Sequence, residues 1–193
     1  MVAGRGDRPQ AYTAAARFTL AFAVAALIFG ALSWGRSGAA YQLPDFARAF
    51  LAGHGALLFF AAFVAHMAVH AAFGALAALP TGRPHLIGTT AAAAMLLDTD
   101  HIGGFLALPM LMRASHSLGF VAVAPLVLPS VMLGHRGFTP VTTAALTLGA
   151  VLSHLSWDAV SSPGIPFLYP FTITAYAPSL ARSAALEGVA MAT

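Results

Sequence analysis

Val141-Thr142-Thr143-Ala144-Ala145-Leu146-Thr147-Leu148-Gly149-Ala150-Val151-Leu152-Ser153-His154-Leu155-Ser156-Trp157-Asp158 carries no formal charge until its last residue. It is long enough to cross the apolar layer of a bilayer as a helix. His154 and Asp158 stand four apart, so on a helix they share one face, a turn from each other. An ionisable group at membrane depth is costly and marks a functional site by default. Three readings stay open for the pair. Both groups reach one ion, the carboxylate orients the imidazole, or the two form an interhelical polar contact.

The whole chain has the same character. Of its 193 residues, 59% are apolar and 8% charged, against roughly 45–50% and about 25% in soluble domains. Further apolar stretches run over Phe18–Gly35, Ala49–Gly82, His85–Leu97 and Ala114–Gly134. The expected fold is therefore all-α, a multi-pass transmembrane helical bundle of about five spans. Pro80-Thr81-Gly82-Arg83-Pro84 and His135-Arg136-Gly137-Phe138-Thr139-Pro140 read as turns. Residues 161–171, rich in Pro and aromatics, suit a membrane-interface segment, and residues 172–193 a short amphipathic helix. Residues 1–50 read as an added N-terminal transmembrane helix and loop, and 51–193 as the main membrane-embedded domain. The first helix is expected to be retained rather than cleaved as a signal peptide, because the polar leader is long and Ala31-Leu32-Ser33 is a weak cleavage site. Arg5, Arg8 and Arg17 favour a cytoplasmic N-terminus, which turns the candidate site outward. The nine basic residues, all arginine, are scattered and leave a net charge of only +3, so no nucleic-acid partner is expected. With no cysteine, disulfides and thiolate metal sites are excluded.

Half of the six acidic residues, Asp98, Asp100 and Asp158, lie next to histidines in sequence or on a helix face. Leu97-Asp98-Thr99-Asp100-His101 ends an apolar helix, where the dipole disfavours carboxylates. A bound divalent ion resolves that conflict; a helix end meeting solvent is the plainer alternative. Ser115-His116-Ser117 opens the fourth apolar stretch, with Ser115 as a helix cap and His116 as ligand or general base. His66 and His70 share a helix face, and Gly74 lets a neighbouring helix come close. Counted from the turn at residue 84, His70 and Asp98 both rise about 21 Å. Counted from residue 137, His116, His154 and Asp158 rise roughly 25–32 Å. These groups thus converge on one layer near one membrane face. The count prefers His70 as ligand with His66 in reserve, leaves His54 outside, and makes His85 and His135 surface residues. The expected ligands are His70, Asp98, Asp100, His101, His116, His154 and Asp158. A mixed His/Asp set suits zinc first, with manganese or iron as alternatives, and paired carboxylates admit two ions. Zincin, phosphate-loop, nucleophile-elbow and dinucleotide motifs are absent from the sequence.

The order His70 with Gly74, Asp98-Thr99-Asp100-His101, Ser115-His116-Ser117, Ser153-His154 with Asp158, then Pro163-Gly164-Ile165-Pro166-Phe167 through Pro170-Phe171 resembles the YdjM-like family of predicted membrane-bound metal-dependent hydrolases. The resemblance covers residues 66–171. Leu97 stands where the pattern has proline, and the His-Arg-Gly-x-Thr-His-Ser segment is degraded, with its first His and its Gly missing. The resemblance implies a hydrolase of the cell (inner) membrane working through a metal-activated water. Asp100 or Asp158 would be the base, His116 the acid, and Ser115 a donor to a phosphoryl or carbonyl oxygen. Membrane lipid is the expected surrounding, and a small-molecule or lipid-like phosphoester the expected substrate. The rival is a membrane carrier or sensor that moves protons or metal ions through the His/Asp layer. A degenerate member that only packs with partners is the blandest option.

Overall fold

The computed structural model describes residues 8–35, 43–101, 108, 111, 113–135, 138–162, 164–172, 174, 176 and 179–193. Residues 1–7, 36–42 and most of 102–112 lie outside it, as does the side chain of His54, so the expectations placed there are not addressed. Among the described residues six helices follow in order: α1 (Arg8–Ala31), α2 (Leu43–Ala78), α3 (Pro84–Leu96), α4 (Leu118–Val131), α5 (Pro140–Ser161) and α6 (Leu180–Ala192). A 3-10 turn, Leu97–Asp100, prolongs α3. Among the described residues there is no strand, only an isolated bridge between Ile165 and Tyr176.

Local chemistry sets the helix ends. Pro84 and Pro140 open α3 and α5, where a missing N–H loses no intrahelical bond. Thr139 Oγ1 accepts from the Thr142 amide at 3.1 Å, and Ser117 Oγ from the Phe120 amide at 3.4 Å. The fourth helix therefore starts at Leu118 rather than Ala114, and its cap is Ser117 rather than Ser115. Gly55, at φ 80°, interrupts α2 with a conformation open to glycine.

The helical bundle stands as expected. Among the described residues, two segments, Gln10–Ala31 and Gly55–Thr81, have the length and apolarity to cross a membrane. With 13 and 14 residues, α3 and α4 reach only about 20 Å, short of a hydrocarbon core of roughly 30 Å. The 22 residues of α5 are long enough but laced with Ser, Thr, His and Asp, and they form the buried centre. Around α5 pack α2, α3, α4 and α6. The first helix lies against α3, the 3-10 turn and α4, and buries Phe18 and Phe22 in the same core as Leu97, Phe120, Leu128 and Leu155. Phe22 meets Phe120 edge-on at 6.0 Å. By contrast Leu57, Leu58, Phe60, Phe63 and Val64 on α2 are exposed, an apolar face suited to lipid.

Close packing of α2 on α3 positions the site. A Cβ on Gly74 would fall 2.7 Å from both Ala94 Cβ and the Thr90 carbonyl oxygen, so only glycine allows this approach.

Candidate metal centre

All seven candidate ligands lie in one cluster, joined by His66. From the 3-10 turn after α3 come Asp98 and Asp100, with His101 next. His116 stands just before α4, His154 and Asp158 on α5, and His66 and His70 on α2. Asp98 Oδ1 lies 3.0 Å from His116 Nε2, 3.4 Å from His154 Nε2 and 3.3 Å from His101 Nδ1. His116 Nε2 and His154 Nε2 are 2.9 Å apart. Asp158 Oδ2 closes the group at 3.2 Å from His116 Nε2 and 3.6 Å from His154 Nε2. His70, His116, His154, Asp100 and Asp158 have fully buried side chains, and that of Asp98 is 9% exposed. The Asp98–His101 segment thus turns inward, and the helix-end-in-solvent alternative falls.

The depth count succeeds with one correction. Measured from the helix starts, Pro84 to Asp98 and Pro140 to His154 are each 14 residues, which puts both at equal height. Counting from residue 137 overestimated the rise, because the helix begins only at Pro140.

Hydrogen bonds hold His154 and Asp100 in place. His154 Nδ1 donates to the Ala94 carbonyl at 2.6 Å and leaves Nε2 free to face inward. His116 Nδ1 faces Asp100 Oδ2 at 3.6 Å. That oxygen accepts from the Ser115 amide at 3.0 Å and from its hydroxyl at 2.7 Å. Ser115 therefore holds Asp100. His66 joins through Nε2, 3.0 Å from His70 Nε2 and 3.7 Å from Asp98 Oδ2. His85 and His135 are half-buried rather than fully at the surface, and His135 Nε2 lies 3.3 Å from Arg17.

Two participants escaped the sequence reading. The Ala94 carbonyl is a backbone group with no residue signature. Arg113 is buried, with NH1 3.4 Å from Asp158 Oδ2 and in close contact with Ser162 Oγ. Its backbone is left-handed, φ 67°, rare for a residue with a Cβ. Aligned on His116, the glycine of the His-Arg-Gly-x-Thr-His-Ser pattern falls on Arg113. The glycine-like backbone is kept, while the side chain supplies a cation to Asp158.

A helical membrane protein with a buried His/Asp centre is the class that this fold and cluster define. The chain belongs to the YdjM inner membrane protein family, whose family model matches residues 61–188. No curated protein and no solved structure matches it.

Proposed function

We propose that this chain is an integral membrane metal-dependent hydrolase acting on a phosphoester or lipid-like substrate near one membrane face. Most support comes from the convergence of Asp98 Oδ1 and Asp158 Oδ2 on His116 Nε2 and His154 Nε2: the two nitrogens are 2.9 Å apart, and each oxygen lies 3.0 to 3.6 Å from both. Bonds of about 2.0–2.1 Å at tetrahedral angles place donors about 3.3–3.4 Å apart. Nitrogen and carboxylate donors without thiolate suit zinc, and also admit manganese or iron. Asp98 Oδ2, Asp100 Oδ1 and Asp158 Oδ1 are buried without a hydrogen-bond partner among the described residues, a cost that a cation offsets.

A divalent ion held there would acidify water to near neutrality and polarise the scissile bond. The chain's own residues do the rest. The Ala94 carbonyl keeps His154 in one tautomer, and Asp100, gripped by Ser115, lies 3.6 Å from His116 Nδ1. Ser115 is thus a positioning residue. Asp100 Oδ1 and His101 Nε2 face each other at 3.8 Å, neither with a hydrogen-bond partner among the described residues, placed to relay a proton through an intervening water. Arg113 adds positive charge beside Asp158, which favours an anionic substrate.

The test is metal analysis of protein purified in detergent, followed by a screen of phosphoesters and phospholipids. Stoichiometric metal and metal-dependent hydrolysis are expected, both lost in Asp98→Asn. Metal-loaded protein that cleaves no phosphoester, lipid or peptide ester sinks the reading. Metal uptake into proteoliposomes would replace it with the carrier.

A further inference from the structure

Two carboxylates divide the cluster into matching halves. Asp98 Oδ1 and Asp158 Oδ2 face His116 and His154. Their other oxygens turn the opposite way. Asp98 Oδ2 lies 3.7 Å from His66 Nε2 and 3.8 Å from His70 Nε2, and Asp158 Oδ1 lies 3.6 Å from His70 Nε2. With His66 and His70 3.0 Å apart, His66, His70 and Asp98 lie at separations that a cation's ligands can take, and Asp158 joins them through His70. The two oxygens facing it are buried and lack a hydrogen-bond partner among the described residues. A protein rarely leaves such oxygens unmet.

Ring geometry gives the spacing between the halves. His70 and His154 stack with centroids 3.5 Å apart and planes 6° from parallel, each with Nε2 turned toward the carboxylates. Ions on those two nitrogens would sit side by side at about the 3.5–4 Å of two-metal sites.

We propose that the cluster holds two divalent cations, both bridged by Asp98 and Asp158, one between His116 and His154 and the other between His66 and His70. This rests on the metal-dependent reading above and deepens it. It makes His66 a ligand and gives Asp98 and Asp158 one shared role. The halves are unequal. The first is closed: both of its rings are fully buried, and the Ala94 carbonyl fixes His154. The second opens at His66, whose side chain is 32% exposed. Trp157 Nε1 lies 3.5 Å from His66 Nδ1, too far to fix that ring's tautomer. The ion between His116 and His154 is therefore the tighter one, and its neighbour the exchangeable one beside water and substrate. Two dications with Arg113 outweigh the three carboxylates Asp98, Asp100 and Asp158, so the loaded centre attracts an anion.

The experiment loads the full chain with Mn2+ in detergent and reads metal content and electron paramagnetic resonance together. Two ions per chain with an exchange-coupled spectrum are expected, released in two steps by a chelator. His66→Ala should keep one ion and show an isolated six-line signal. One ion in the wild type, unchanged by His66→Ala, overturns the second site while the hydrolase reading stands. Two uncoupled ions overturn the bridges. No bound Mn2+ or Zn2+ overturns both this proposal and the metal-dependent reading.

Discussion

Helices α2 and α5 carry the same device, two polar side chains four residues apart, in opposite settings. On α2, His66 and His70 hang from a helix whose outer face is bare apolar surface. On α5, His154 and Asp158 belong to a helix enclosed on every side by its neighbours. The lipid-facing helix can be uniformly apolar because only one stripe meets protein. The central helix trades apolarity for hydroxyls and imidazoles that find partners inside. Hydropathy therefore picks out α2, while the chemistry concentrates on α5.

Breaking the α5 side should have the largest effect. Asp158→Ala removes a buried carboxylate that meets Arg113, His116 and His154, and should cost about 3–5 kcal/mol, the range for a severed buried ion pair. Thermal unfolding in detergent reads that loss, and an unchanged midpoint would count against a buried network. Glycine substitutions compare the helices' backbones. Gly74→Ala forces a Cβ into Ala94 and Thr90, and should cost about 1–3 kcal/mol. On α5 a Gly149 Cβ meets nothing closer than 3.6 Å, so Gly149→Ala should stabilise by roughly 0.5–1 kcal/mol. Equal effects from the two would break the contrast. His66→Ala, on the open side, should move stability by less than about 1 kcal/mol.

A pH-dependent effect lies on the far face of α5, where α6 packs. Burial pushes the Glu187 carboxyl up to about 7 from its ordinary 4.5; nearby Ser156 opposes this weakly, since its hydroxyl donates to the Ser183 carbonyl at 2.9 Å. The folded state holds this proton more tightly than the unfolded one. Stability should fall as pH rises from 4.5 to about 7, then level off. Glu187→Gln should flatten that slope, and an unaltered midpoint–pH curve in the variant would refute the assignment.

Much of this was legible because it is local. Period and spacing placed His154 with Asp158, and residue counting brought Asp98 and His70 to one height. Gly74 announced the close approach of α2 and α3. Where apolarity and capping disagreed, at Ala114–Ser117, capping decided the helix start. Counting resolves the height of a backbone position but not the reach of its side chain, so it ranks His70 above His66 although both reach Asp98. Backbone groups such as the Ala94 carbonyl leave no mark in the sequence. Nor does composition reveal that a glycine-like backbone at Arg113 turns a guanidinium inward.

Thr99 lies between the two carboxylates of the 3-10 turn, and its hydroxyl donates to the Ala23 carbonyl of α1 at 3.1 Å. The first helix thus acts as a buttress for Asp98 and Asp100, although it lies outside the family-matched residues 61–188. A truncated chain without it would keep every ligand yet leave the scaffold of two of them unanchored.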